Sequence, residues 1–405
     1  MTTTINNKHK KLNVPNLRFK EFQGEWEKCK LGDICAFLSG GTPKIDIKEY
    51  WDGTIPFVSA ISMHNTYISD SNLHISEKGL KNGSKLLKKN NLLLLVRGSM
   101  LWKSIPVCLN ESDVAFNQDV KGIIPNDTTN NKFLLYWLKS KEQRLKYMVT
   151  GTGLGAGKLD TNDLLSMSVY APSMNEQDKI AKLLSLLDKR IATQNKIIED
   201  LKKLKCAIIE KHYLQAKLHK YKICDLGVPF SVGSLSKEDL SEKGHECILY
   251  GELFTTYDCV INEVKSHTNK IANTTLSQKG DLVFPSSTTV DAVSLISPSV
   301  IDIPNVILGG DMFGIHIDKK FNAYYLSYYI NLIARKKLAI YAKGSTIIHL
   351  HYNDIANAQL LLPDLCEQDI IAKCMIAEDN KIKVEEQLLT KLENQKQYLL
   401  RQMFV

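Results

Sequence analysis

Short loops in the first half of the chain combine glycine with hydroxyl and cationic side chains. Ser39–Lys44 is glycine-rich, and Gly151–Lys158 alternates glycine with other residues. Hydroxyl, guanidinium, ammonium and free backbone N–H groups are the donors that bind phosphate oxygens and the edges of bases. We therefore interpret these loops as candidate nucleic-acid contacts, with ordinary solvated turns as the alternative. The candidate residues in this half are Ser39, Gly41, Thr42, Lys44, Ser59, Arg97, Ser99, Thr152 and Lys158.

Comparable loops recur in the second half of the chain. Two of its histidines, His349 and His351, are two residues apart and would lie on one face of a strand. A zinc pair is one interpretation, but no third ligand lies nearby in the sequence, which favours surface or DNA-facing histidines. The candidate residues in this half are Ser231, Ser234, Ser286, Ser287, Thr288, Lys343, Ser345, Thr346, His349 and His351.

The sequence contains no recognisable catalytic or cofactor motif. The Asn-Pro-Pro-Phe and Asp-Pro-Pro-Tyr motifs of adenine methyltransferases are absent, as are the G-x-S-x-G, H-E-x-x-H and Walker motifs. The glycines of Gly151–Ala156 follow a helix-like stretch, whereas a dinucleotide fingerprint follows a strand. We therefore predict that this chain has no catalytic residue, no metal site and no bound cofactor.

The composition is that of a basic globular protein. The 405 residues are 44% hydrophobic and 24% charged, and this length predicts two or three domains. The net charge of +8 comes from the first half, while the second half is slightly acidic, so charge alone does not establish a polyanionic partner. No apolar run approaches the ~20 residues of a membrane helix, and the N-terminus lacks the apolar core of a signal peptide. Nine cysteines without a C-x-x-C pair indicate reduced thiols, and we expect a cytoplasmic protein.

The chain repeats itself once, at an offset of about 191 residues. The clearest match aligns Glu176-Gln177 with Glu367-Gln368, and each glutamate stands four residues after a proline. Each repeat comprises a domain of about 140 residues followed by a long helix. Within the domain, short apolar runs alternate with turn signals, as they do in β-strands. We predict the α+β class for both domains, which form a tandem direct repeat.

A long helix is predicted after each domain. Glycine and proline are absent from Ser173 to about Leu218, and Ser173 with Glu176 matches a capping box. Apolar residues then recur at spacings of three and four, which is typical of a coiled coil. Since one such helix alone would expose its apolar stripe, we expect the two helices to pair antiparallel, with pseudo-two-fold symmetry. The predicted pairing residues are Leu184, Leu187, Ile191, Ile198, Leu201, Ile208, Met375, Ile382, Leu389, Leu392 and Leu399.

Two unlike domains on paired helices would hold two binding surfaces at a fixed separation. B-DNA presents equivalent major-groove faces about every 34 Å, so such a chain could read two half-sites. Because the repeats differ in sequence, the two half-sites should differ, which predicts an asymmetric bipartite site. The alternative is a stand-alone coiled-coil protein that bridges other proteins without sequence-specific DNA binding.

The chain resembles the specificity subunits of type I restriction–modification enzymes. The resemblance lies in the lead-in Pro15–Trp26, the segment Leu31–Ile34, the loop Ser39–Pro43 and the doubled proline, Glu-Gln and long-helix arrangement. On this basis the expected segments are a lead-in over residues 1–29, target recognition domain 1 over 30–172, a central spacer helix over 173–221, target recognition domain 2 over 222–363 and a C-terminal spacer helix over 364–405.

The resemblance also implies partners and cofactors. The chain would be a non-catalytic subunit that binds double-stranded DNA and docks two adenine methyltransferase subunits through its helices. S-adenosylmethionine would serve those subunits, and ATP and Mg²⁺ would serve added motor–nuclease subunits. No membrane partner is implied. Because Ser39–Pro43 has no motif-for-motif counterpart in Pro229–Leu235, individual base contacts do not transfer from the family.

Overall fold

The computed structural model describes residues 13–153 and 155–405. The chain divides into a first unit, Met1–Gln194 with Leu388–Val405, and a second unit, Asn195–Gln387. Each unit holds one α+β domain and part of each long helix. Residues 1–12 of the predicted lead-in, and one residue of the predicted loop at 151–158, lie outside the described residues.

The first domain is built on a five-stranded sheet. All neighbouring strand pairs are antiparallel except the last, which is a parallel edge pair. The central strand is an unbroken run of four leucines that is buried on both faces, as suits a covered strand. The strands, in order across the sheet, are Cys35–Ser39, Val120–Pro125, Leu92–Leu95, Val107–Asn110 and Tyr67–Ile68. Three smaller sheets accompany it. The four-stranded one joins His74–Ile75, Ile55–Val58, Val114–Phe116 and Leu86–Leu87, and the two-stranded one joins Glu27–Lys30 and Ser168–Ala171. The three-stranded one joins Thr150–Gly151, Gly157–Lys158 and Arg97–Gly98.

The second domain repeats this strand order. Its main sheet also ends in a parallel edge pair. The strands, in order, are Gly227–Ser231, Met312–Ile317, Asp281–Pro285, Ser299–Ile301 and Val260–Ile261. The other sheets join Leu240–Ser241, Ser266–Thr268, His245–Leu249, Ile307–Gly309 and Thr275–Leu276; His219–Lys222 and Gln359–Leu362; and Ser287–Thr288 and Ile348–His349. The matching order confirms the predicted tandem repeat and the α+β class.

Short helices connect and cover the sheets. The apolar stretch after Asn130 forms two helices, Asn131–Ser140 and Glu142–Tyr147, and the matching stretch of the second repeat contains a π-helical turn at Ile330–Ala334. Tyr325, Tyr328 and Tyr329 are buried there, so these aromatic residues belong to the core. The remaining short helices are Leu31–Ile34, Glu77–Lys81, Thr161–Ser166, Glu252–Thr255, Ala292–Leu295, Ala323–Tyr329, Arg335–Ala339 and Tyr352–Ile355, with 3₁₀ turns at Lys48–Tyr50, Ala60–Ser62, Ser99–Trp102, Ile223–Asp225 and Lys237–Asp239.

Two long helices complete the fold: the central helix, Met174–Gln215, and the C-terminal helix, Leu365–Gln402. In the second unit the ion pairs Lys202–Glu386 and Lys205–Asp379 run in opposite directions along the two helices, so the helices are antiparallel there. The two predicted long helices and their antiparallel pairing are thereby confirmed. Within residues 13–153 and 155–405, no helix combines the length and the apolar character that crossing a membrane requires.

The predicted pairing residues are buried or half-buried along the helices. Near the helix ends the most buried position moves by one residue, to Ile209 and Leu400, which join the hydrophobic cores of their own units. This drift is expected because 3.6 residues per turn do not match a strict 3.5-residue repeat. The buried residues are Leu184, Leu187, Ile198, Leu201, Met375, Ile382 and Leu392, and the half-buried ones are Ile191, Ile208, Leu389 and Leu399.

In the first unit, a buried carboxylate joins the recognition domain to both long helices. The Tyr136 hydroxyl donates to Asp188 Oδ2 at 2.7 Å, and Lys396 Nζ lies 2.5 Å from Asp188 Oδ1. The tyrosine comes from the domain, the aspartate from the central helix and the lysine from the C-terminal helix. Burial, followed by the charge of Asp188, raises the pKa of Tyr136, which keeps the phenol protonated as a donor.

The second unit contains the same trio with the helices exchanged. Tyr328 donates to Asp379 Oδ2 at 2.5 Å, and Lys205 pairs with the same carboxylate while lying 4.9 Å from the centre of the tyrosine ring. Here the aspartate belongs to the C-terminal helix and the lysine to the central helix. Burial again raises the pKa of Tyr328. Each repeat thus supplies the tyrosine and aspartate of one trio and the lysine of the other.

The trio predicts a large stability difference between two alanine substitutions on the central helix. Asp188→Ala leaves Lys396 and Tyr136 without their shared acceptor in a buried site, and should lower the free energy of unfolding by about 3 kcal/mol. Glu199→Ala removes an exposed pair with Lys203 and should change the urea midpoint little. Urea unfolding followed by circular dichroism provides the measurement, and equal effects of the two variants would contradict the prediction.

Candidate nucleic-acid interface

Two of the predicted loops of the first unit meet in a small three-stranded sheet. The middle strand, Gly157–Lys158, pairs with Thr150–Gly151 on one side and Arg97–Gly98 on the other. Lys158 lies opposite Arg97 in this register, so their side chains start from the same face of the sheet. Lys158 is 3.8 Å from Asp160, whereas Arg97 is exposed and has no carboxylate within 4 Å among the residues described. The sheet therefore presents cationic charge to solvent.

Glycine is required where these strands approach each other. Gly98 has a φ of +142°, a conformation that other residues rarely adopt. A Cβ on Gly157 would lie 2.7 Å from the Val149 side chain, which is closer than van der Waals contact allows. The glycines therefore bring Arg97 and Lys158 together by permitting a tight backbone approach.

The glycine-rich loop 39–44 meets the turn at Asn117–Asp119. Gly41 N–H donates to the Phe116 carbonyl at 3.0 Å, and the Thr42 hydroxyl donates to Gln118 Oε1 at 2.7 Å. The carbonyl of Asp119 accepts from the backbone N–H of Val96 at 2.8 Å and of Arg97 at 3.2 Å. Asn117 N–H donates to the carbonyl of Val58, directly before Ser59. This turn therefore brings the predicted loops of the first unit together.

The second unit uses the corresponding turn, Gly309–Asp311, in the same way. The Asp311 carbonyl accepts from Ser286 N–H at 2.7 Å, and Gly309 bridges to Gly233 and accepts from Tyr250 N–H. The strand Ser287–Thr288 pairs with Ile348–His349. The convergence of the loops is thus common to both repeats, although their side chains differ.

The candidate side chains differ in exposure. The Ser286 and Ser287 residues are buried, so Thr288 forms the accessible part of that loop. The other half-buried candidates are Gly41, Ser59, Thr152 and Lys158. The exposed candidates are Ser39, Thr42, Lys44, Arg97, Ser99, Ser231, Ser234, Lys343, Ser345, Thr346, His349 and His351.

The surface formed by the candidate loops of the second unit is less cationic than the corresponding surface of the first unit. Lys343 Nζ lies 2.5 Å from Asp354 Oδ1, and this hydrogen bond, together with the His351 backbone N–H, lowers the pKa of Asp354. The ammonium charge is therefore partly neutralised by its own domain. The rings of His349 and His351 stack 6.2 Å apart and are exposed. The candidate contacts on this surface are mainly hydroxyl and imidazole groups. On the corresponding surface of the first unit they include the cationic side chains of Arg97 and Lys158.

The side-chain types that bind metals are not clustered in the described part of the chain. No group of three or more His, Cys, Asp or Glu side chains there has the arrangement of a metal site. All nine cysteines are free, and burial raises the pKa of the Cys35 and Cys108 thiols to about 12. Those thiols therefore stay protonated near neutral pH.

Three further side chains lie beside the candidate loops of the first unit, and the sequence analysis does not predict them there. Gln118 and Lys121 contact Thr42 and Ser39, with 2.6 Å between Lys121 Nζ and Ser39 Oγ. Trp102 is 52% exposed, and its indole N–H donates to the Gly155 carbonyl at 3.1 Å. The segment containing Gln118 did align with the second repeat, which was the available signal. Nothing in the local sequence placed Trp102 beside the glycine-rich loop.

Comparison with known proteins identifies relatives of this arrangement. The family described as "Type I restriction modification DNA specificity domain" matches residues 23–203 and 223–394. The type I restriction enzyme EcoR124I/EcoR124II specificity subunit of Escherichia coli is 31% identical over half of this chain and half of its own length. The MjaVIII specificity subunit of Methanocaldococcus jannaschii is 26% identical over 94% of both chains.

Solved structures show a similar fold. The S subunit of a type I restriction-modification system from M. genitalium matches with a TM-score of 0.62 at 17% identity, covering 97% of this chain and 99% of that one. A chain from a study of complex assembly and conformational transition of the type I R-M system matches with a TM-score of 0.54 at 14% identity, covering 93% of this chain and 96% of that one.

The close backbone approach at Gly41 allows a matched test of the loop geometry. A Cβ on Gly41 would lie 2.3 Å from the Gly83 carbonyl oxygen, whereas a Cβ on Gly153 would have no atom within 4 Å. Gly41→Ala should therefore displace loop 39–44 and speed amide exchange at residues 40–44 several-fold, while Gly153→Ala should leave that exchange unchanged. Hydrogen exchange read by mass spectrometry decides the point; unchanged exchange in Gly41→Ala would refute this account of the loop.

Proposed function

The chain belongs to the type I restriction modification DNA specificity family, and we propose that it is the DNA-reading subunit of a restriction–modification assembly. Each unit reads one half of a bipartite site through its cluster of loops. The observation that carries the proposal is the repeated convergence of loops on one backbone turn, Asn117–Asp119 in one unit and Gly309–Asp311 in the other.

The two half-sites are proposed to differ. Identical surfaces would suit a palindrome, but here one surface offers Arg97 and Lys158 while the other offers Thr288, His349 and His351. Guanidinium and ammonium groups favour guanine edges and phosphates, whereas hydroxyl and imidazole groups have different partners. An asymmetric site follows from this difference in chemistry.

The long helices are proposed to scaffold two adenine methyltransferase subunits. Support comes from the exchanged trios, which give each domain an equivalent attachment to the helix pair. The chain itself contributes no catalytic group in this proposal. Methylation with S-adenosylmethionine belongs to the methyltransferase subunits, and ATP- and Mg²⁺-dependent translocation and cleavage belong to the motor–nuclease subunits.

The second candidate function is protein bridging without sequence-specific DNA recognition. The long helix pair is the feature that favours it, because such surfaces commonly bind other proteins. The two functions are separated by a duplex-binding assay on the chain assembled with its methyltransferase subunits. Indifference of that complex to the sequence of the DNA would favour bridging.

Exchange of one domain should change one half-site. We expect that replacing residues 222–363 with the matching domain of another family member alters one half of the methylated sequence and leaves the other half intact. The readout is sequencing of methylated adenines in a host expressing the hybrid with its methyltransferase subunits. A change in both halves would contradict the assignment of one reader to each unit.

Loss of cationic charge from the first surface should reduce the salt dependence of binding. If Lys158 contacts a phosphate, Lys158→Gln makes the negative slope of log K against log salt shallower by about 0.9, because one fewer phosphate is neutralised and fewer counterions are released. Lys78→Gln, at an exposed lysine paired with Glu49 in the same domain, should leave the slope unchanged. Fluorescence anisotropy of the assembled complex over a salt series gives the slope. Equal slopes for the parent chain and both variants would show that Lys158 does not contact a phosphate.

A further inference from the structure

The starts of the two long helices share a set of hydrogen bonds. Gln177 accepts from Asn130 N–H at 2.9 Å and donates to the carbonyl of the proline five residues before it. Gln368 accepts from Asn322 N–H at 2.9 Å and makes the same bond to its own proline. In both units the asparagine amide also donates at 2.7 Å to the aspartate after the glutamine. The two helix starts are therefore equivalent residue by residue.

The glutamate before each glutamine breaks this equivalence. In the first unit Glu176 is buried, and Arg18 Nε and Nη2 donate to its two carboxylate oxygens at 2.8 Å each. Arg18 belongs to the arginine segment, residues 13–26, and is fixed further by the carbonyls of Gln23 and Gly24. A bidentate pair of this kind is among the strongest contacts a carboxylate can make.

In the second unit the corresponding carboxylate lacks such a partner. Glu367 is half-buried, and its Oε2 is shielded from solvent with no hydrogen-bond partner among the described residues. The hydroxyl of Tyr325, also buried, is unpartnered as well. Only residues 216–218 separate the central helix from strand His219–Lys222, so this repeat has no arginine segment of its own. A buried polar atom without a partner is costly, which makes the site one that a ligand would stabilise.

The helix surface beside Glu367 is apolar and exposed. The corresponding surface of the first unit is in contact with the arginine segment. In the first unit Lys179 lies 4.8 Å from the ring centre of Phe19, within the arginine segment. The corresponding residue of the second unit is Ile370, which is 61% exposed and lies three residues after Glu367 on the same helix. An isoleucine at this position can pack against an aromatic ring as the lysine stem does. The second helix start thus offers a carboxylate acceptor flanked by apolar surface.

We propose that the start of the C-terminal helix is a docking site for a partner-protein segment carrying an arginine followed by aromatic residues, with the guanidinium on Glu367 and the aromatic side chains on Ile370. The chemistry of the occupant follows from the first unit, where the same helix start binds Arg18 and Phe19. This inference does not depend on DNA recognition, and it gives the second unit a protein contact that the first unit makes within the chain.

The probe is a synthetic peptide of residues 13–26, added to the full-length chain. Cys366 is exposed beside Glu367, while the first unit has Asn175 at that position, and the exposed Cys224 serves as an internal reference. Saturating peptide should slow alkylation of Cys366 at least fivefold and leave Cys224 unaffected, as read by mass spectrometry. An Arg18→Ala peptide should bind at least tenfold more weakly in an anisotropy assay.

Matched chain variants test the proposed acceptor. Glu367→Gln should weaken peptide binding at least tenfold, whereas Glu393→Gln, at an exposed glutamate farther along the same helix, should not. Glu367→Gln removes no hydrogen bond to its Oε2, so its urea midpoint should stay at or above that of the parent chain, while Glu176→Gln should lower the midpoint by breaking the Arg18 pair. Binding that survives Glu367→Gln but is lost in Glu176→Gln would mean that the peptide displaces the chain's own segment, and would overturn the proposal. Absence of Cys366 protection would overturn it equally.

Discussion

An aspartate on each long helix, buried at Asp188 and half-buried at Asp379, is paired with a lysine from the other helix and a tyrosine from a domain. Asp188 and Asp379 both have this environment, and an ionised carboxylate in such a site is tolerated only when its partners are in place. Sliding one helix against the other would leave a charge unpaired at a cost of several kcal/mol. The trios therefore fix the register of the helices and the attachment of each domain at the same time.

The loops that differ between the repeats are attached through groups that do not differ. Backbone carbonyls of Asp119 and Asp311 accept from the segments that carry the candidate contacts, and a carbonyl is supplied by every residue type. Side chains on these loops can thus change without loss of the bonds that position them. The fold separates a constant backbone scaffold from a variable chemical surface, which is the property that reading many different sequences requires.

Sequence patterns predicted the features that depend on local periodicity. The buried strand Leu92–Leu95, the long helices and the duplication follow from apolar spacing, turn residues and an internal match. The missed features depend on long-range contacts. Glu176 fits a local capping box, yet its carboxylate is bound by Arg18 from far along the chain. Ser286 looks like a loop hydroxyl but is buried where strand Asp281–Pro285 leads into Ser287–Thr288, and Leu350 N–H donates to its backbone carbonyl. Trp102 joins the surface only through folding, so no local signal identifies it, and the only signal for Gln118 is the match between the two repeats.

The starts of the two long helices share their glutamine and asparagine hydrogen bonds and differ in the partner of the glutamate before the glutamine. At the start of the C-terminal helix the Asp364 carboxylate accepts from Glu367 N–H at 3.0 Å, so the side chain of this glutamate is not needed to begin the helix. In the first unit the cost of burying the glutamate side chain is offset by its hydrogen bonds to Arg18, and these bonds also anchor the arginine segment. In the second unit three connecting residues span at most about 10 Å, too short for a segment of that kind. Among the described residues no group partners Glu367 Oε2, and the proposed arginine of a partner protein would supply the donor that Arg18 supplies in the first unit.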